Sequence, residues 1–393
     1  MRRHAARATS GVSHAPHPSA TRVACIGLLG LAAAMGIGRF AFTPLLPLMQ
    51  AHEGLTLTQG GWLAGANYLG YLIGALACAA RPPQPARAAR WGLIGVAVFT
   101  LASVMISDFG SLCVLRFGAG VSSAFVLVGV SSWALPLLAA RQRPDLSGWV
   151  FAGVGVGITA AGVVGFAAGV ARSAPAWAWL ALGLIAASIA ALALRELRAP
   201  PGAASNAAAS PAPALRAGDW ALVACYGAFG FGYIIPATFL PAFARALIDD
   251  PRAFGAVWPV FGLAAATSTV LATRWLPAWR PRTVWAASQV VMAFGVLVQA
   301  LAPNLATTVL SALCVGGTFM VATMAGIQHA RQVAADRAPR LIAAMTAAFA
   351  LGQLIGPPLV RGTSAAAVAL WPSVLAALLL IASSVALLAR RSD

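Results

Sequence analysis

The sequence predicts an all-α membrane protein: twelve transmembrane helices arranged as two parallel six-helix repeats. Three observations lead there. Of 393 residues, 60% are hydrophobic and only 9% charged, with a mean hydropathy of +0.83, whereas a soluble domain carries about a quarter charged residues. The apolar residues fall in continuous runs of about eighteen or more, the length a helix needs to cross a bilayer, without the period-two alternation of a barrel strand. A stretch rich in Ala, Pro and Ser, "ELRAPPGAASNAAASPAPALRAG", divides these runs six and six. Backbone amides in lipid must be satisfied within the chain, so such runs are helices.

In order, spans are expected at 23–49, 59–80, 90–107, 111–138, 147–171 and 175–195, then at 219–244, 253–273, 282–302, 304–328, 338–361 and 365–389. Residues 23–195 form an N-terminal bundle and 219–389 a C-terminal bundle. Residues 196–218 read as a flexible cytoplasmic linker. Residues 1–22, "MRRHAARATSGVSHAPHPSATR", are basic and polar. The apolar run that follows them has 27 residues, too long for a signal-peptide core. A disordered cytoplasmic tail before an uncleaved first span is therefore expected.

The formal net charge is +17, and all 26 basic residues are Arg. In a soluble chain that balance would point to nucleic acid. Here the arginines sit at span ends, so they signal topology and no nucleic-acid partner is expected. With the N-terminus cytoplasmic, twenty Arg fall on tails and inner loops, and only Arg39, Arg116, Arg172, Arg245, Arg252 and Arg361 lie elsewhere. Both termini are thus expected in the cytoplasm. Eleven of the twelve Trp lie near span ends, as a bilayer interface favours; Trp133 is the exception. The five cysteines lack the C-x-x-C spacing of a metal or redox site, so no disulfide framework and no metal are expected. There is no phosphate-binding G-x-x-x-x-G-K-[ST] loop, so the chemistry implied is gradient-driven, without cofactors.

The halves resemble each other weakly. "GRFAFTPLLPLMQ" followed by "GGWLAGANYLGYLIGALACAAR" parallels "GFGYIIPATFLPAFAR" followed by "GAVWPVFGLAAATSTVLATR". Pro47 pairs with Pro241, Trp62 with Trp258 and Arg81 with Arg274, at offsets of 194, 196 and 193 residues. An even number of spans per half makes the repeats parallel. Parallel six-helix repeats place a substrate site near the midplane between the halves.

Several stretches carry a resemblance to a known family. "GIGRFAFTPLLPLMQ", "GFGYIIPATFLPAFAR", "WPVFGLAAATS", "GGTFMVATMAGIQHARQ" and "GQLIGP" occur in order from about residue 22 onward. Together they resemble the YbfB/YjiJ-like family of major facilitator superfamily (MFS) transporters. That resemblance implies a twelve-helix secondary transporter of the bacterial inner membrane, but no particular substrate. It also implies that the first, fourth, seventh and tenth helices line the pathway. "LRFGAGVSS", with Arg116, Gly118 and Gly120, is similar to the superfamily motif tied to proton coupling. Two departures stand out. The loop after the second span keeps Gly74 and its arginines but has no acid, and the fifth span lacks the Gly-Pro pair of antiporters.

All nine acids sit at span ends, in loops or in the tail. Proton relays generally need a carboxylate or His inside the membrane, and the spans supply none. Protons remain candidate coupling ions through Asp249 and Asp250, which end the seventh span beside Arg245, or through His329, which titrates near neutral pH. Both acids and the His also read as solvated interfacial residues.

Arg39 lies seventeen residues beyond Arg22, about 25 Å at helical rise and past the midplane. Burying it costs at least ~2.5 kcal/mol on insertion scales, so such residues face a bundle interior or an aqueous cavity. It is either an anion-binding or gating arginine, or a structural one bonded to carbonyls of a broken neighbouring helix. Gly36, Gly38, Pro44 and Pro47 predict a local bend there. Thr43 lies at i+4 on the same face. Arg116 either snorkels or packs structurally, or it serves coupling or substrate. Asn67 and Tyr68 sit mid-span in the second helix, Tyr233 and Thr238 flank Pro236, and Gln328 ends the tenth helix. These complete the candidate substrate pathway. Gln289, Gln299 and Gln353 read as interhelical glue. In the fifth span Gly153, Gly157, Ala161, Gly165 and Gly169 recur every four residues as a small-residue packing ridge.

The function expected is secondary active or facilitative transport of a small organic solute by rocking two bundles. With two intramembrane arginines and no intramembrane acid, an anionic or zwitterionic solute is favoured. The partners expected are that solute and the lipid bilayer, with the protein a monomer. One alternative is drug or metabolite efflux by proton antiport. A membrane-embedded enzyme is a distant one, because Asp249 and Asp250 are expected on the side of the membrane opposite His329.

Overall fold

A computed structural model describes residues 19–81, 83–197, 213–247, 255–360 and 365–389. Most of the expected tail and linker, together with Asp249 and Asp250, lie outside these residues. Among them there is no strand. The helices are α1 (Ala20–Glu53), α2 (Leu57–Ala80), α3 (Pro85–Ala102), α4 (Phe109–Ala140), α5 (Ser147–Val170), α6 (Pro175–Glu196), α7 (Ala217–Leu247), α8 (Val257–Trp275), α9 (Pro281–Leu301), α10 (Leu305–Val333), α11 (Ala338–Ile355) and α12 (Ala365–Ala389). Among the described residues, ten helices are long and apolar enough to cross a membrane; α3 and α8 fall short.

Helix ends follow local chemistry. The third helix ends at Ala102, five residues before the expected Ser107. Asp108 must be extended (ψ 138°) to accept the amide of Ser111 as the N-cap of α4, so the chain has to leave the helix before it. The eleventh helix ends at Ile355 because Gly356-Pro357-Pro358 follows, and Pro supplies no amide to continue a helix.

α1 is not one uniform helix. Its first part (Ala20–Leu31) and last part (Phe42–Glu53) are α-helical, and Ala32–Arg39 is a wider π-helical stretch. There the Phe40 amide donates to Met35 O, five residues back, and the Thr43 amide turns to Phe40 O. The carbonyl of Arg39 is left free, and such freed groups need partners from elsewhere in a dry interior.

The small-residue ridge of α5 explains where α1 can sit. A Cβ at Gly157 would lie 2.1 Å from Ala32 O, and one at Gly153 the same distance from Leu28 O. Only hydrogen allows that approach. The opposite side of α5 meets α8, where a Cβ at Gly155 would be 2.3 Å from the Ala266 amide. α5 is thus a close-packed seam on both sides.

Helix pairings recur between the halves. α1 packs on α5 as α7 packs on α11, α2 on α4 as α8 on α10, α3 on α6 as α9 on α12. Across the halves, α5 packs on α8 and α2 on α11. α1 and α7 run in the same direction, since Thr43 bonds Ala237 and Pro47 bonds Arg245. The end where α1 and α7 begin is called the terminal end below, and the opposite one the far end.

Candidate functional site

Between the halves lies a cavity of about 470 Å³. Pro144 and Ser147 at the α4–α5 turn, Arg331 at the end of α10 and Ile342 at the start of α11 line its mouth, so it opens at the terminal end. Arg39, Phe40 and Tyr233 stand at its inner end. Among the described residues no carboxylate and no His lines it.

Arg39 is 3% exposed. The π-helical stretch carries it out of register with an ordinary helix and aims it between the halves. Its Nη2 donates to Gln353 Oε1, and Gln353 Nε2 donates to the Tyr233 hydroxyl. Its guanidinium lies over the Tyr71 ring, 4.1 Å from the centroid, and 5.2 Å from that of Tyr68. These rings stabilise a cation through their quadrupoles. Nε and Nη1 are enclosed and without a well-formed hydrogen bond, as is Nε of Arg116, and the Tyr71 and Tyr233 hydroxyls lie close to the Arg39 guanidinium. The ion pairs among the described residues join Arg22 with Glu196, Arg143 with Asp145, and Arg337 with Asp219 and Asp336, leaving Arg39 without a carboxylate.

Arg116 is as buried, at 2%, but engaged differently. Its Nη2 donates to Gly38 O (3.1 Å) and Arg39 O (2.9 Å), the carbonyls beside the break in α1. Asn67 Nδ2 donates to Gly38 O (3.3 Å) and Arg116 O (2.8 Å). Arg116 therefore does not snorkel, and neither it nor Asn67 lines the cavity. Together they hold the broken backbone that carries Arg39.

A second group ties the halves together at the far end. The Tyr68 and Thr238 hydroxyls are 2.9 Å apart. Thr43 Oγ1 donates to Ala237 O at 3.1 Å. That carbonyl is available because Pro241, four residues on, has no amide to give it. Arg245 Nη1 donates to Pro47 O. Beyond this layer a separate cavity of about 450 Å³, lined in part by His52, Arg172 and Trp258, occupies the far end.

Of the candidates read from the sequence, Arg39 and Tyr233 meet at the cavity's inner end. Thr43, Tyr68 and Thr238 form the far-end layer. Gln328 lines the mouth. His329 is half-buried beside α9, within electrostatic range of Arg282, and does not line the cavity. Asp249 and Asp250 lie outside the described residues. Gln353, assigned to helix glue, proves to be the direct partner of Arg39. Phe349 four residues earlier shares its face, and Tyr226, Phe229 and Tyr233 recur at helical spacing. That periodicity was the available signal for an aromatic wall.

The sequence model of a family described as "Uncharacterised MFS-type transporter YbfB" matches residues 31–389, nearly the whole of this architecture. The chain belongs to this YbfB-type MFS family. A family relative from Bacillus subtilis (strain 168), named "Uncharacterized MFS-type transporter YceJ", is 36% identical over 97 residues. That match spans 23% of this chain and 24% of the relative, so the chain aligns with about a quarter of its length. Among solved structures, the nucleoside transporter NupG is similar with a TM-score of 0.69 at 13% identity, covering 95% of this chain and 99% of that one. A mutant form of NupG gives the same TM-score at 14% identity, covering 93% and 99%. At such identities the likeness is one of fold. This YbfB-type chain is thus a multi-pass membrane protein of a transporter family.

Proposed function

We propose that the protein is a secondary transporter that carries a small anionic or zwitterionic organic solute across the inner membrane, alternating access by rocking two six-helix bundles. Residues 23–195 form one bundle, 219–389 the other, and 196–218 the linker between them. The recurrence of the same helix pairings in both halves supports a twelve-helix parallel repeat. The distribution of arginines supports cytoplasmic termini. On that orientation the cavity opens to the cytoplasm and the far-end layer closes the outside. Rocking about the α5–α8 and α2–α11 seams would break the Tyr68–Thr238 and Thr43–Ala237 bonds and open the second cavity.

The observation that carries the anion assignment is Arg39. A guanidinium cannot shed its proton, and an uncompensated one in a dry site is costly. No carboxylate among the described residues neutralises it, two of its enclosed nitrogens lack well-formed hydrogen bonds, and its side chain borders the inner end of an open cavity. A carboxylate or phosphate entering there supplies the missing charge and bonds. The nucleoside cargo in the names of the solved relatives does not supply that charge.

The test is a thermal-shift screen of purified protein against metabolite anions, amino acids and sugars, repeated with Arg39→Ala. Anions or zwitterions are expected to raise the melting temperature of the wild type alone, and Arg39→Ala to abolish their transport at normal expression. Stabilisation by neutral sugars only, or normal transport by a well-expressed Arg39→Ala protein, would sink the assignment.

A further inference from the structure

The inner end of the cavity is walled by rings. Besides Phe151 of α5, six aromatic residues line the cavity: Phe40, Tyr71, Tyr226, Tyr233, Phe319 and Phe349. They come from α1, α2, α7, α10 and α11, so both halves contribute. Tyr233 is stacked between Phe319 (centroids 5.6 Å apart, planes at 1°) and Phe349 (5.4 Å, 11°). Phe40 meets Phe319 edge to face at 6.3 Å, and Tyr226 packs on Phe349 at 5.3 Å. Residues that pack into such an array have little freedom to remould around an irregular guest. Beside the Arg39 guanidinium and the Gln353–Tyr233 bond, the polar groups of the lining are neutral apart from Arg331 at the mouth, among them the hydroxyls of Tyr71, Tyr226, Ser131, Ser132, Thr323 and Thr346.

A pocket with one buried cation against rigid aromatic walls selects for two features at once. The charge of Arg39, which no carboxylate among the described residues neutralises, asks for an anion. Both faces of Tyr233 are covered by Phe319 and Phe349, and a face of Tyr71 by Arg39, so the ring edges that border the cavity are what ask for a planar π-system, through edge-to-face contacts that gain beyond simple area burial. A flexible aliphatic acid satisfies only the first, and a neutral arene only the second. Additional charges on the solute would have no second buried cation to meet, because Arg116 is occupied with backbone carbonyls and Arg331 stands at the exposed mouth. A single carboxylate on an aromatic ring is the chemistry that fits.

We propose that the solute is an aromatic monocarboxylate, bound with its carboxylate on Arg39 and its ring among Tyr71, Tyr233, Phe319 and Phe349. This rests on the transport assignment made above and narrows it. Binding to the full-length protein in lipid nanodiscs would be measured by titration calorimetry for benzoate and indole-3-acetate. The comparison set is cyclohexanecarboxylate and hexanoate, matched in charge, and benzyl alcohol, matched in ring. At least one aromatic acid is expected to bind at least tenfold more tightly than either aliphatic acid, and Phe349→Leu to erase that preference while aliphatic binding persists. The wild-type ratio stands alone if Phe349→Leu fails to fold. Equal binding of benzoate, indole-3-acetate and the aliphatic acids overturns this inference and leaves the anion assignment standing. Binding of benzyl alcohol as tight as that of the acids, unchanged by Arg39→Gln, overturns both, as does binding by none of the five.

Discussion

The Arg39 guanidinium and the Gln353 side-chain carbonyl are hydrogen-bonded across the halves, 314 residues apart in sequence. Gln353 accepts from one nitrogen of Arg39 without neutralising it. The bond therefore orients the cation and preserves its charge.

Gln353→Glu tests that arrangement, since Glu has nearly the shape of Gln. A carboxylate there pairs with Arg39 internally and removes its attraction for a solute anion. At an effective dielectric near 20, a contact pair is worth on the order of 4 kcal/mol. The variant is expected to melt at or above the wild-type temperature and to lose at least about tenfold in anion transport. Undiminished transport would show that the charge of Arg39 is not what the solute meets.

Arg116 has a different expected signature. Arg116→Ala strips the Arg39 carbonyl of its partner and weakens the hold on Gly38, at about 1–3 kcal/mol for each buried group left unsatisfied. The main effect is expected on melting temperature and expression, with Arg116→Lys recovering part of it. A fully stable Arg116→Ala protein that had lost only transport would contradict this backbone-holding role.

The Tyr68–Thr238 bond can be isolated by a double-mutant cycle with Tyr68→Phe and Thr238→Val. Each single change leaves a buried hydroxyl without its partner, so the double variant should cost less than the sum of the singles. The coupling expected is about 0.5–1.5 kcal/mol by thermal or denaturant melting. Strict additivity would mean that the two hydroxyls do not exchange a hydrogen bond.

Two ion pairs near the terminal end make a further contrast. Arg337 bonds Asp219 through Nε (2.7 Å) and Nη2 (3.1 Å), with both side chains at most 6% exposed. Arg143 and Asp145 pair in the open, at 51% and 55%. Exposed pairs contribute little, whereas removing one partner of an enclosed pair strands the other. Arg337→Ala is expected to lower the melting temperature clearly more than Arg143→Ala. Equal effects would mean that solvent screens both pairs alike.

Much of the helix pattern was legible in the sequence because it depends on local properties. Runs of apolar residues and the small-residue ridge of α5 both depend on spacing along a single helix. The early end of the third helix was missed because Met105 and Ile106 read as apolar continuation, although Asp108 required an extended chain before it. The weakness of α3 and α8 as spans was missed for a related reason. Their polar residues only count against a span once the helix limits are known.

The site was less legible. Arg39, Thr43, Tyr68, Tyr233 and Thr238 could be singled out as polar or aromatic residues in apolar runs, but not assigned to partners. The link between Thr43 and the carbonyl freed by Pro241 needs α1 and α7 side by side and in register. Gln353 looked like any other buried amide until α11 was placed against α7.

By itself, the sequence determined an all-helical membrane chain with its arginines at the span ends, because hydropathy and charge partition residue by residue between lipid and water. It also determined that Arg39 must face something other than lipid. Only the tertiary structure decided what. Arg116, from another helix, takes the carbonyls beside the break in α1, and Arg39 is left at the end of a cavity with no carboxylate among the described residues to neutralise it. Such an outcome depends on which side chains reach a given backbone group first, and that is a property of packing distance and direction, not of composition or spacing along the chain.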